Sequence, residues 1–208
     1  MILGFDCSGP WCAVCVLAGG SVLAAREEAM VKGQAERLFP LVEEALAEAG
    51  VGYPDLTAVA CGIGPGSFTG LRVAVAAARG LALARGIPAV GVTAFEALYE
   101  GRDGPALCAV AAPRGAAFVQ EMPDGAPRLL LPEETAAPPE GVVVIVRPGE
   151  AEHLTGRRLP PALPVAEAVA CAAVRRLAAG DPGPRPAPLY LRAADAAPPR
   201  HGAPRIVP

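Results

Sequence analysis

Gly64-Pro65-Gly66-Ser67-Phe68-Thr69-Gly70-Leu71-Arg72 separates an apolar run from a long alanine-rich one. Its glycines, proline, serine and threonine read as a strand-to-helix turn. Upstream, Thr57-Ala58-Val59-Ala60-Cys61 has the small and β-branched residues of a short buried strand. Downstream, Leu71 to Arg85 has no proline and one internal glycine, as a helix would. Gly64 and Gly66 can take positive φ or admit a close backbone, Pro65 fixes φ between them, and Ser67 or Thr69 can cap the helix. The first N–H groups of that helix make the turn a candidate anion site. The rival reading is a tight turn that only aims a helix. The segment has neither the Lys-Ser/Thr ending of a P-loop nor the glycine spacing of a dinucleotide fold.

Outward from this turn the pattern alternates strands and helices. Residues 2–6, 11–18 and 21–29 read as three strands, with Ala18-Gly19-Gly20-Ser21 as a hairpin turn that makes the second and third antiparallel. A helix over 34–49 places Leu38, Leu41, Val42, Ala45, Leu46 and Ala49 on one buried stripe. Then follow a strand at 57–62, the glycine turn, a second helix at 70–85, a strand at 88–92 and a short helix at 94–99. Gly101-Arg102-Asp103-Gly104-Pro105 marks a boundary between residues 1–104 and 105–208. The second part carries strands at 106–112, 116–121 and 141–146, a helix at 164–179 and a proline-rich, extended tail. No internal repeat is visible in the sequence. By pattern alone this is an α/β protein with mixed sheets.

Over half of the 208 residues are apolar but only 4% are aromatic, so the core is built from Ala, Val and Leu with close element packing. A net charge of −3 and an isoelectric point near 5.5 argue against a basic surface for tRNA or a membrane on this chain alone. No apolar run approaches the length of about 18 residues that a membrane span needs, and Met1 leads directly into a strand, so a cytoplasmic protein is expected. Cys7, Cys12, Cys15, Cys61, Cys108 and Cys171 lie mostly in apolar segments and read as core thiols. Cys12 and Cys15 formally make a C-x-x-C, but three apart in a strand they point to opposite faces, a poor geometry for sharing a metal, so core thiols are expected over a redox or metal role. His153 and His201 sit in turn-rich stretches with no metal-ligand spacing, so no metal site is expected.

The second helix is apolar nearly all round; Arg72, Arg79 and Arg85 are its only charged residues between Leu71 and Arg85. Such a helix is usually covered on all sides. One side can lie on the sheet, while the other needs neighbouring helices of this chain or a second polypeptide. Its alanines and Gly80 would let a facing helix come close.

As a string, Gly64 to Arg72 resembles the signature of the TsaB (YeaZ) family of bacterial tRNA threonylcarbamoyladenosine biosynthesis proteins. Ile2-Leu3-Gly4-Phe5-Asp6-Cys7-Ser8 is similar to that family's opening strand and Asp-Thr-Ser turn, with Cys7 in place of threonine. Gln34 to Leu41 resembles its first helix, usually opened by His-Ser-Glu, and Gly86 to Leu98 its next strand and turn. Pro188-Leu189-Tyr190-Leu191-Arg192 resembles its C-terminal motif. The likeness is dense over residues 1–99 and thin over 105–187. It implies the actin-like ATPase (ASKHA, ribonuclease H-like) fold: an N-terminal lobe at 1–104 bearing the partner-binding helices, and a reduced C-terminal lobe at 105–208. Each lobe would hold a mixed sheet with helices.

The resemblance further implies a non-catalytic scaffold for tRNA N6-threonylcarbamoyladenosine formation. Such a subunit dimerises with a TsaD-like paralogue, recruits a TsaE-like ATPase, forms a homodimer when alone and meets tRNA only through the complex. Leu38, Leu41, Leu71, Arg72, Val75, Ala78, Arg79 and Ala82 are the expected partner interface. Asp6 ends the first strand, where kinases of this superfamily hold a magnesium-bound phosphate. With Ser8, Gly64, Gly66, Ser67 and Thr69 it forms a candidate anion or nucleotide site; the other reading of Asp6 is a turn residue bonding local N–H groups.

Where the family shows Asp-Ala-Arg-Arg-Gly-Glu-Val-Tyr, this chain reads Ala111-Ala112-Pro113-Arg114-Gly115-Ala116-Ala117-Phe118, without either carboxylate. No cofactor is therefore expected to be required by this chain, with weak binding of ATP or ADP and Mg²⁺ at a complex interface as the nucleotide alternative. The functional alternative is an ATP-dependent small-molecule kinase or ATPase using Asp6 and the glycine turn. A peptidase has no support, because Ser67 lies in no G-x-S-x-G with a histidine partner.

Overall fold

Strand β1 (Ile2–Asp6) is buried along its whole length, and the first half of the molecule is organised around it. The structure, a computed structural model, describes residues 1–134, 138–139 and 141–191. On one side β1 pairs antiparallel with β2 (Trp11–Ala18), which pairs antiparallel with β3 (Ser21–Ala29). On the other it runs parallel to β4 (Ala58–Gly64), itself parallel to β5 (Ala89–Thr93). The sheet order is β3-β2-β1-β4-β5.

Helices α1 (Gln34–Glu48) and α2 (Phe68–Arg85) fill the connections from β3 to β4 and from β4 to β5. They cover the sheet face bearing Leu3, Phe5, Val14 and Val59. Leu38, Leu41, Val42, Ala45 and Leu46 of α1 are buried, as the stripe predicts. Helix α2 begins two residues before its predicted start because Ser67 Oγ caps it, accepting the Gly70 N–H at 3.3 Å.

A second five-stranded sheet repeats the pattern. β6 (Ala106–Ala111) pairs antiparallel with β7 (Ala117–Met122), which pairs antiparallel with β8 (Arg128–Leu130). β6 is parallel to β9 (Val143–Ile145), itself parallel to β10 (Arg158–Leu159). The order β8-β7-β6-β9-β10 matches the first sheet strand for strand, so the repeat absent from the sequence is present in the topology. Two mixed sheets of this kind with their helices make the two-lobed actin-like arrangement. β8 and β10 escape sequence reading because three and two residues carry no periodicity.

The remaining helices cross between the sheets. α3 (Ala94–Tyr99) follows β5 but sends Phe95 and Leu98 into the core of the second sheet. α4 (Val165–Ala178) follows β10 but buries Val165, Val169 and Ala172 against Ala13, Cys15, Ala60 and Val90 of the first sheet. It crosses β1 so closely that a Cβ on Gly4 would lie 2.9 Å from Ala170 Cβ. The boundary at 104 thus separates the two sheets but not the two packing units: the first lobe needs a helix from the second half of the chain.

The proline-rich tail is irregular, as its composition predicts, but tied down up to residue 191. Leu189 N–H donates to Ile63 O at 2.7 Å, and Arg176 donates to Gly91 O and Pro182 O. Arg192 and the rest of the tail lie outside the described residues. Among the described residues no helix is long and apolar enough to cross a membrane.

Candidate functional site

Asp6 is 2% exposed at the end of β1, and its own chain surrounds the carboxylate. Oδ1 accepts the Ser8 N–H at 2.8 Å and the Trp11 indole N–H at 2.7 Å. Ser8 Oγ lies 2.8 and 3.0 Å from the two carboxylate oxygens. Gly62 of β4 faces this group, and a Cβ there would fall 1.7 Å from Asp6 Oδ2. In this arrangement the carboxylate organises the turn from β1 to β2.

The glycine turn presses on that same loop. Gly64 takes φ +97, and Ser67 N–H donates to Ser8 O at 2.6 Å. A Cβ on Gly66 would lie 2.4 Å from Ser8 O, and one on Gly70 would lie 1.8 Å from Cys7 O. Two backbone carbonyls, partial negative charges, therefore sit against the start of α2, where a helix N-terminus would otherwise favour an anion.

Asp6, Ser8, Gly66 and Ser67 do come together, on the wall of a cleft of about 470 Å³ between the two sheets. Gly64 lies behind it against Leu71, and Thr69 is exposed on the first turn of α2; neither lines the cleft. The rest of the wall is mostly apolar, including Val92, Ala97, Val110, Phe118, Val165 and Val169. Two side chains missed by sequence reading, Trp11 and Arg147, meet here: the guanidinium carbon of Arg147 stands 4.4 Å from the centre of the indole. The signal for Trp11 was its place just after the Asp6 loop. Nothing local marked Arg147, which reaches the cleft only through the packing of the second sheet.

Five of the six thiols are shifted away from the thiolate, while the hydrogen bond with Cys7 shifts buried Cys12 down. Hydrogen bonding to Cys12, whose Sγ is 3.8 Å away, together with burial, pushes the Cys7 thiol up. Burial raises Cys15, Cys61 and Cys108 to about 12, so all three stay protonated. Cys12 and Cys15 face opposite sides of the sheet, as expected for strand residues three apart. Among the described residues no group of three or more His, Cys, Asp or Glu side chains is placed to hold a metal ion.

The second candidate surface is the outer side of α1 and α2. Here the structure corrects the residue choice. Leu41, Leu71, Val75, Ala78 and Ala82 are buried within this chain, whereas Leu38, also buried, lines the groove between α1 and α2 together with Ala77. Arg72 is exposed, with its guanidinium 3.7 Å over the Phe68 ring and its Nε donating to Tyr190 OH at 3.0 Å. Arg79 is half-buried, and among the described residues its Nε has no hydrogen-bond partner. The apolar groups left open are Ala35 and Phe39 of α1 with Val73, Ala76, Gly80 and Leu81 of α2. They border a groove of about 360 Å³, and Leu83 lies beyond it at 81% exposure. On a helix apolar all round, spacing alone cannot say which side meets the sheet.

Comparison with known proteins agrees with the two-lobed architecture. Residues 28–122 match the family model described as TsaD, tRNA N6-adenosine threonylcarbamoyltransferase. The tRNA threonylcarbamoyladenosine biosynthesis protein TsaB of Escherichia coli is 35% identical over 100 residues, 48% of this chain and 43% of that protein. The match thus spans less than half the length of that relative. An uncharacterised protein of Mycobacterium tuberculosis is 35% identical over 183 residues, 85% of this chain and 83% of its own. The solved structure of YeaZ from Pseudomonas aeruginosa superposes with a TM-score of 0.75 at 27% identity, covering 91% of this chain and 99% of that one.

Proposed function

Because the chain belongs to the TsaB (YeaZ) family, we propose that it serves tRNA N6-threonylcarbamoyladenosine formation as a non-catalytic scaffold, pairing with a TsaD-like subunit through the outer side of α1 and α2. The observation that carries this reading is the uncovered apolar groove of Ala35, Phe39, Val73, Ala76, Gly80 and Leu81. Small residues along α2 let a facing helix approach closely, and Phe39 and Leu83 are larger apolar side chains exposed on the same two helices. A TsaE-like ATPase would then join the pair, and tRNA would be met through the assembly. The net charge of −3 fits a subunit that leaves nucleic-acid contact to its partners.

The enzyme alternative is less well supported. Asp6 is engaged by Ser8 and Trp11, and among the described residues no strand of the second sheet brings a further carboxylate to it of the kind phosphoryl transfer requires. Glu150, the other acid on the cleft wall, accepts the Ala111 N–H at 3.1 Å.

The test is to mix the purified chain with a TsaD-like subunit and measure mass in solution by light scattering. A heterodimer is expected for the wild type. Gly80→Arg, at a position where an added Cβ meets nothing within 4 Å, should keep the fold by circular dichroism and abolish the heterodimer. Absence of the wild-type complex, or an undiminished complex with Gly80→Arg, overturns the reading.

A further inference from the structure

We propose that the cleft between the two sheets is a binding site for a small carboxylate with an apolar body, its anionic end held by Arg147 and its body lying against Trp11, Phe118 and the valines. A volume of about 470 Å³ and a wall that is mostly apolar with a few polar groups are the features of a small-molecule site. Among the described residues Arg147 is the only cationic side chain on that wall. Among the described residues its sole recorded interaction is the stacking on Trp11, so its N–H fork is unused. A guanidinium in that condition pairs best with a planar, two-oxygen anion.

Both anchors are held in place before any ligand arrives. Trp11 is fixed by its bond to Asp6 and lies so close over Gly9 that a Cβ there would meet the ring at 2.1 Å. Arg147 opens the turn Arg147-Pro148-Gly149-Glu150, closed by Glu150 N–H to Arg147 O at 3.1 Å, with Gly149 at φ +79. The Arg158 guanidinium braces the following loop by donating to the carbonyls of Glu150, Ala151 and Leu154. Such preorganisation lowers the ordering cost of binding.

The other polar groups argue for a single negative charge rather than a triphosphate. Asp6 is already bonded, Thr93 Oγ accepts the Glu96 N–H, and the carbonyls of Cys7 and Ser8 stand where phosphates would approach the glycine turn. With Asp6 and Glu150 beside Arg147 the wall already sums to −1, so it opposes a nucleoside triphosphate far more strongly than a single carboxylate paired with the guanidinium. This site does not depend on the helix-face reading.

Trp11 is the only tryptophan of the chain, so its fluorescence reports on the cleft directly. The full chain is titrated with hexanoate, with hexanamide and with Mg-ATP. Hexanoate should give a saturable change with a half-point on the order of a millimolar or below, as expected of a fragment-sized ligand. Hexanamide should bind about tenfold more weakly, and Arg147→Gln, with unchanged circular dichroism, should erase the difference between acid and amide. The Gly80→Arg variant should titrate as the wild type, so failure here and failure of partner docking are read separately. The proposal is overturned if hexanoate gives no saturable change, if acid and amide bind alike to the wild type, if Arg147→Gln retains the preference, or if Mg-ATP binds more tightly than hexanoate.

Discussion

The two sheets share strand order and direction but differ in what covers them. In the first, α1 and α2 fill the connections after β3 and β4. In the second, the equivalent stretches 131–142 and 146–157 hold no helix among the described residues. Its far face, with Leu107, Ala109 and Val144, is closed instead by loop residues such as Val146, Ala151 and Leu154. The helices kept on the first sheet do more than cover it, since their outer sides carry an apolar surface the core does not use. The second sheet's main debt to the first is α3, and it returns α4.

That exchange gives the largest expected effect. A fragment of residues 1–104 lacks α4 and exposes Ala13, Cys15, Ala60, Val90 and Val92. It should show no cooperative thermal transition, whereas the full chain melts as one unit. A fragment that melts sharply on its own would restore the boundary at 104 as a true domain boundary.

A smaller effect separates helix cover from loop cover. Leu41→Ala, beneath α1, should cost about 3 to 5 kcal/mol in urea unfolding, because a helix fixed on a sheet cannot collapse into the cavity. Leu154→Ala, beneath a loop that can settle, should cost about 2 kcal/mol or less. Equal losses would mean that the second sheet is packed as rigidly as the first.

The smallest effect is electrostatic. Arg37 of α1 donates to Glu28 of β3 through Nε and one terminal nitrogen, at 2.7 and 2.6 Å, and to Glu44 at 2.7 Å. These hydrogen bonds hold both carboxyls below their ordinary value of 4.5. A lowered carboxyl stabilises the fold above its unfolded pKa, and that contribution disappears as pH falls through the folded one. The melting temperature should therefore drop on acidification below pH 4.5, and Arg37→Ala should flatten part of that drop. The groups are solvent-exposed, so salt should weaken the effect. An unchanged pH profile in Arg37→Ala would show that the ion pairs do not fasten α1 to the sheet.

Much of the architecture was legible in the residues. Hairpin glycines, the α1 stripe and the Gly64 to Arg72 turn place the elements of the first sheet within one or two residues. The second half was legible only in part, because β8 and β10 are too short to show a period and α4 is as alanine-rich as α2. For the candidate site, Asp6, Ser8, Gly66 and Ser67 could be found because they are neighbours in two local turns. Trp11 and Arg147 could not be paired, since their meeting depends on how one sheet faces the other.

Element order, the caps and the turn glycines follow from the amino-acid sequence alone, because each is decided by steric and hydrogen-bonding preferences acting over a few residues. The tertiary structure alone decides which side of α2 is buried, which sheet α4 closes and what stands on the cleft wall. Alanine-rich helices look alike from every side, and only long-range packing of one element against another distinguishes their faces.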